Sequence, residues 1–138
     1  MPVERRVQRR MQATRKRLLE SALAMFAKHG IYQTTVEAIT EAADVGKGTF
    51  YEYFPSKVSI IQQLLHEGFG DLQRHCRTGV QSAATAKARL KQLLWAHFRF
   101  FDKRRDLLIL FHQGRGLIKL QPEEGRSEEH TSELQSQR

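Results

Sequence analysis

Cysteine is nearly absent. Cys76 stands alone in 138 residues, so no disulfide framework and no cysteine-based metal site can form within one chain, which suits a reducing cytoplasm. Proline is as sparse: Pro2, Pro55 and Pro122 are the only three, which leaves long stretches where a helix meets no breaker. Long apolar runs are missing too. The run Leu107 to Phe111 is only five residues, far short of the roughly 20 that a membrane-spanning helix needs. The N-terminus is basic but no apolar segment follows it, so no signal peptide is readable. Six histidines are scattered without metal-ligand spacing. No Ser/His/Asp set and no paired carboxylates are suggested, so neither a metal, a cofactor nor an enzyme activity is expected.

What is present is positive charge. Formal net charge is +8, with 23 Lys and Arg against 15 Asp and Glu. Residues 1–17 hold seven of the bases and one acid, Glu4. The surplus is therefore concentrated in an N-terminal arm, whose early part is expected to be a solvated tail. Such a balance favours a polyanionic partner, nucleic acid or an anionic membrane surface. The arm has only Val3, Val7 and Met11 as bulky apolar residues, too little for a membrane-lying helix. The chain is 40% hydrophobic, enough to bury a core.

The patterning is helical. Leu18, Leu19, Ala22, Leu23 and Phe26 recur at steps of three and four and predict a helix from about Gln12 to Lys28, with Gly30 as its left-handed terminator. Thr34 to Glu37 reads as a capping box opening a second helix, about Thr35 to Ala43. Asp44 follows and tolerates a left-handed turn. A third helix, Lys47 to Phe54, stops at Pro55, and Ser56 caps a fourth from Lys57 to about Arg77. The segment Thr78 to Ala84 predicts a break. A fifth helix, Ala86 to Lys103, carries Leu90, Leu93, Leu94, His97, Phe98 and Phe101 as its inward stripe. A sixth runs from Arg105 to about Lys119.

Two short helices joined by a tight turn, after a long amphipathic one, form a tri-helical DNA-reading unit. The second of them fits a major groove about 12 Å wide. Phe50 and Phe54, four residues apart, are the inward pair. Gly46 and Gly48 let backbone approach the duplex. Lys47 and Thr49 reach phosphates or base edges, and Tyr51 and Tyr53 offer hydroxyls and rings. Gly46 to Thr49 has a superficial likeness to a phosphate loop, but no upstream glycine sits at the required spacing and no strand precedes it.

The residues Phe26, Gly30, Thr34-Thr35-Val36, Ile39, Ala42-Ala43, Val45, Lys47 to Tyr51, Tyr53-Phe54 and Lys57 together resemble the signature of TetR-type repressors. The resemblance covers about Arg15 to Leu65. It implies an all-α fold: a helix-turn-helix domain over 15–60, after a basic arm over 1–14, followed by part of a helical effector and dimerisation domain over 61–125. It implies a homodimer on a palindromic operator in double-stranded DNA, contacted by Arg15, Thr35, Lys47, Gly48, Thr49, Tyr51, Tyr53 and Lys57. It also implies a small-molecule effector near Trp95, His97, Phe98, Phe101, Phe111 and His112, for each of which plain core is the alternative. Three residues depart from the family pattern: Asp44 in place of a turn glycine, Gly46 in place of serine, and an acid, Glu52, on the reading helix. They bear on which operator is read.

The character changes after Pro122. Arg126 to Ser136 resembles the in-frame translation of a sequencing adapter, so 126–138 is expected to be a non-native tail without sites. On that reading the natural sequence stops near Gly125, and the fifth and sixth helices expose apolar faces. Two other functions fit the composition: a non-specific basic nucleic-acid-binding protein, and a helical interaction module that reads no operator.

Overall fold

The computed structural model describes residues 2–80 and 85–118. They form six helices: α1 (Pro2–His29), α2 (Val36–Ala43), α3 (Lys47–Tyr53), α4 (Lys57–Val80), α5 (Ala86–Lys103) and α6 (Arg105–Ile118). No strand occurs among the described residues. The expected non-native tail, 126–138, lies outside them, as does most of the expected break, 81–84.

One core joins all six helices. It is built from the α1 stripe with Ile39 and Ala43 of α2, Phe50 of α3, Ile60, Ile61, Leu64 and Leu65 of α4, Phe100 of α5, and Leu107 and Leu110 of α6. Leu18, Phe26, Ile39, Phe50 and Ile60 are completely shielded from solvent.

α1 starts ten residues before the expected Gln12. Apolar periodicity marks only the part of a helix that packs. From Val3 to His29 the chain has neither Pro nor Gly, and Pro2 suits a first helical turn because its missing N–H has no partner there to lose. Gly30 ends the helix at φ +85°, and its N–H donates to the Phe26 carbonyl at 2.8 Å.

The cap of α2 falls one residue later than expected. Thr35 accepts from the Ala38 N–H at 3.1 Å, so Glu37 does not complete a capping box. Thr34 is buried instead, with its hydroxyl directed at the carbonyls of Gly30, 2.8 Å, and Met25, 3.1 Å. Of two adjacent threonines, the shielded one closes the α1–α2 turn and the exposed one caps. Asp44 adopts the left-handed conformation at φ 54°, with its N–H on the Glu41 carbonyl. Ser56 caps α4 as expected, accepting from the Ser59 N–H at 3.2 Å.

α5 has the expected bounds but turns a different face inward. Ala96 and Phe100 are its buried residues, whereas Leu90, Leu94, Trp95 and Phe98 are exposed. The helix carries two apolar faces, and close approach selects between them. A Cβ placed on Gly79 of α4 would lie 3.2 Å from the Ala96 Cβ, so the small-residue face meets α4.

α6 lies across both α1 and α4. Gly114 makes the crossing possible: a Cβ there would stand 2.9 Å from a Leu65 methyl, and Leu65 is 2% exposed in the core. Gln113, beside it, accepts the Ile31 N–H at 3.1 Å through its side-chain oxygen. Gly116, in the same helix, has nothing within 4 Å of its Cβ position. Gly114→Val is expected to destabilise the fold by about 2 kcal/mol through overpacking, while Gly116→Val stays within about 0.5 kcal/mol. Equal melting temperatures for the two variants would show that α6 does not cross α4 at Gly114.

Candidate nucleic-acid interface

α3 has seven residues, too few to hold a helix by its own hydrogen bonds. Phe50 and Phe54 anchor it, 0% and 4% exposed, with ring centroids 5.8 Å apart. Their burial dictates what faces out. Lys47, Gly48, Tyr51 and Glu52 are exposed, and Thr49 and Tyr53 are half-buried. Tyr53 packs on the core, and the Tyr51 ring stands edge-on to Phe50 at 5.3 Å. Gly46 precedes the helix with no side-chain cap, so the first amides of α3 lack the hydroxyl that serine would supply.

Two polar contacts fix neighbouring segments around this helix. Lys47 forms an ion pair with Glu37, which ties the start of α3 to the first turn of α2. Lys57, at the start of α4, donates to the Thr34 carbonyl at 3.1 Å. The Thr35 hydroxyl is engaged in capping. Thr35, Lys47 and Lys57 are thus gathered at one end of the helix-turn-helix, beside the exposed α3 surface. Arg15 lies beside Phe54, the residue after α3. Its guanidinium covers the Phe54 ring at 5.6 Å and pairs with Glu67 of α4 at 3.4 Å.

Glu37 is the residue that sequence reasoning placed in the wrong role. It was expected to cap a helix; it neutralises the lysine at the head of the exposed surface. The hydrogen bond from Lys47 holds its carboxyl below the ordinary glutamate range, and the same bond pushes the Lys47 ammonium up. A signal was available in the opposite charges flanking a tight turn, but spacing across a turn does not specify a contact.

The six expected effector residues fall on overlapping open surfaces, and His97, Phe98 and Phe101 line one groove of about 470 Å³ with Asp102, Leu108 and Ile109. Trp95 and Phe98 sit edge to face at 5.8 Å, on an open apolar groove with Lys91 and Leu94. His97 lines an open groove of about 640 Å³ with His66, Phe69, Gln73 and Cys76. Its Nδ1 lies 2.8 Å from the Leu93 carbonyl and 3.5 Å from Cys76 Sγ. Burial pushes the Cys76 thiol up, which keeps it protonated. Phe101 and Phe111 join Phe69 in an aromatic stack, with centroids at 5.7 and 4.4 Å. His112 is exposed. Among the described residues these side chains do not enclose a single cavity, and no helix is long and apolar enough to cross a membrane.

Residues 18–64 match the family model for bacterial regulatory proteins of the tetR family. The match covers the helix-turn-helix, about a third of the chain. The chain is 33% identical over 118 residues to the HTH-type transcriptional repressor KstR2 of Mycobacterium tuberculosis, covering 85% of this chain and 58% of that protein. It is 37% identical over 82 residues to the HTH-type transcriptional repressor DhaR of a Mycobacterium species, covering 59% and 41%. The chain thus spans about half the length of the curated relatives it matches. The structure of the ketosteroid transcriptional regulator KstR2 of Mycobacterium tuberculosis superposes with TM-score 0.70 at 31% identity, over 78% of this chain and 55% of that one. A TetR family transcription regulator from Marinobacter aquaeolei shares the fold, with TM-score 0.72 at 20% identity, over 84% of this chain and 61% of that one.

The Glu37–Lys47 pair has a spectroscopic signature. Because Glu37 titrates low, the pair persists as pH falls until the carboxylate takes up its proton at that depressed pKa, and it is absent below. Following the Glu37 side-chain carbon by NMR should give a midpoint below ordinary glutamate, moving upward in Lys47→Met. An unmoved midpoint would mean that the two charges do not interact.

Proposed function

We propose that this chain is the DNA-reading portion of a transcriptional repressor, which places α3 in the major groove of a palindromic operator. The observation that carries this reading is the outward surface of α3, Lys47, Gly48 and Tyr51, edged by the half-buried Thr49 and Tyr53 and held from behind by Phe50 and Phe54. Thr35 and Lys57 flank it and reach phosphates. Lys57 keeps donors to spare, because an ammonium has three and the Thr34 carbonyl takes one. Arg15 braces the end of α3 through Phe54 and reaches the backbone there. Glu52 stands on the exposed side, where it either accepts from a cytosine amine or meets solvent.

The likeness to KstR2 and DhaR, both described as transcriptional repressors, supports the regulatory assignment over an enzymatic one. In the full protein, two such elements would sit about one DNA turn apart in a homodimer. A small molecule binding over the aromatic surfaces of α5 and α6 would shift the dimer between two spacings and release the DNA. The site of action is the cytoplasm, where a bacterial chromosome lies.

The reading is tested by selecting duplexes from a random pool and measuring affinity across salt. Tyr51→Ala should cost about 1–3 kcal/mol on the selected sequence and relax specificity, whereas Lys47→Ala should weaken binding to all duplexes, because its ammonium meets phosphate. Lys57→Ala should weaken binding to every sequence alike and lower the salt slope by about one. Glu37→Gln should tighten binding to all duplexes, since it frees the Lys47 ammonium for phosphate. Uniform affinity across sequences would favour a non-specific basic protein instead.

A further inference from the structure

We infer that the first half of α1 is a second DNA-binding surface, which grips phosphates outside the half-site that α3 reads. The inference rests on the DNA-reading role of α3 and extends it to a part of the chain that the core does not use. α1 is one unbroken helix from Pro2 to His29, yet its buried face begins only at Leu18. Residues 2–13 are exposed throughout. No packing explains this stretch of helix.

Its charge pattern does point to a partner. Arg5, Arg6, Arg9 and Arg10 recur at positions i, i+1, i+4 and i+5, which places all four on one face. None takes part in an ion pair among the described residues. Arg5 with Arg9, and Arg6 with Arg10, are like charges four apart, an arrangement that weakens an isolated helix. A polyanion laid along that face removes the repulsion, and guanidinium forks pair with phosphates two bonds at a time.

Arg15 gives the arm its direction. It rests on Phe54, the residue that ends α3, and is tied to Glu67. The arm therefore leaves the body beside the end of the reading helix. The twelve exposed residues extend about 18 Å at the helical rise, a reach of about five base pairs at 3.4 Å each. A duplex fits better than a lipid surface. The other stripe of the arm holds only Val3, Val7 and Met11, without the Trp, Phe or Leu that seat an interfacial helix.

The test uses the full chain, with fluorescence anisotropy on a mixed-sequence duplex of about three helical turns across a range of salt. Replacing Arg5, Arg6, Arg9 and Arg10 with Gln keeps good helix formers in place. We expect affinity to fall at least tenfold (~10×) at low salt and the log–log salt slope to drop by about two or more. Ala13→Pro keeps every charge but kinks the arm. It should abolish the gain in affinity that the intact chain shows when a short duplex is lengthened by about five base pairs. An unchanged slope in the Gln variant, with Lys47→Ala still weakening binding, overturns the arm and leaves the α3 reading intact. Loss of binding in the Gln variant, with Lys47→Ala inert, overturns the α3 reading alone. No binding of any duplex by the intact chain sinks both. Binding to phosphatidylserine vesicles that is tighter than to DNA, and lost in the Gln variant, would assign the arm to a membrane surface.

Discussion

Everything exposed on α3 depends on the burial of Phe50. A helix of seven residues has too few internal bonds to persist alone. Phe50 is completely shielded, against a core to which all six helices contribute. Its position sets the rotation of α3, and the rotation decides that Lys47, Gly48 and Tyr51 point away from the body. Phe54 repeats the constraint one turn later, which leaves α3 no freedom to roll. The surface polarity of the helix is thus a by-product of its apolar anchor. Removing that anchor would leave the side chains present but unaimed.

Much of this was legible in the sequence, because local rules and tertiary packing agree over residues 15–65. The α1 stripe, the left-handed Asp44, the inward Phe50 and Phe54, and the Ser56 cap each follow from a rule that acts over a few residues. Where the reading failed, two rules competed. Thr34 and Thr35 are both able to cap, and only burial decides which one closes the turn. α5 has two apolar faces, and only the approach of Gly79 to Ala96 selects one. The early part of α1 has only a thin apolar stripe, Val3, Val7 and Met11, all of it exposed, so a rule based on burial could not see a helix that buries nothing. The Glu37–Lys47 contact depends on how two helices are set across a turn, which spacing alone does not determine.

The exposed side of α5 stands in contrast to the helix-turn-helix. Leu90, Leu94, Trp95 and Phe98 lie open, while the inner face of the same helix buries Ala96 and Phe100. In the tri-helical part from Leu18 onward, the large aliphatic side chains are buried or half-buried, and the exposed aromatics, Tyr32 and Tyr51, carry hydroxyls. In α5 that division is lost, and large apolar groups occur on both sides. The chemistry of the two halves differs accordingly: one half presents hydrogen-bonding groups on a rigid frame, and the other presents aromatic surface with few polar atoms.

Beside the shared apolar core, the Ile31 N–H, just after α1 ends, donates to the Gln113 side chain at 3.1 Å and links the two halves. Sliding α6 by a full turn, about 5.4 Å, takes the bond out of range, so it marks one seating of α6 against α1. Gly30, at φ +85°, sits next to this bond in a conformation that few other residues adopt, so that seating of α6 also depends on a glycine where α1 ends.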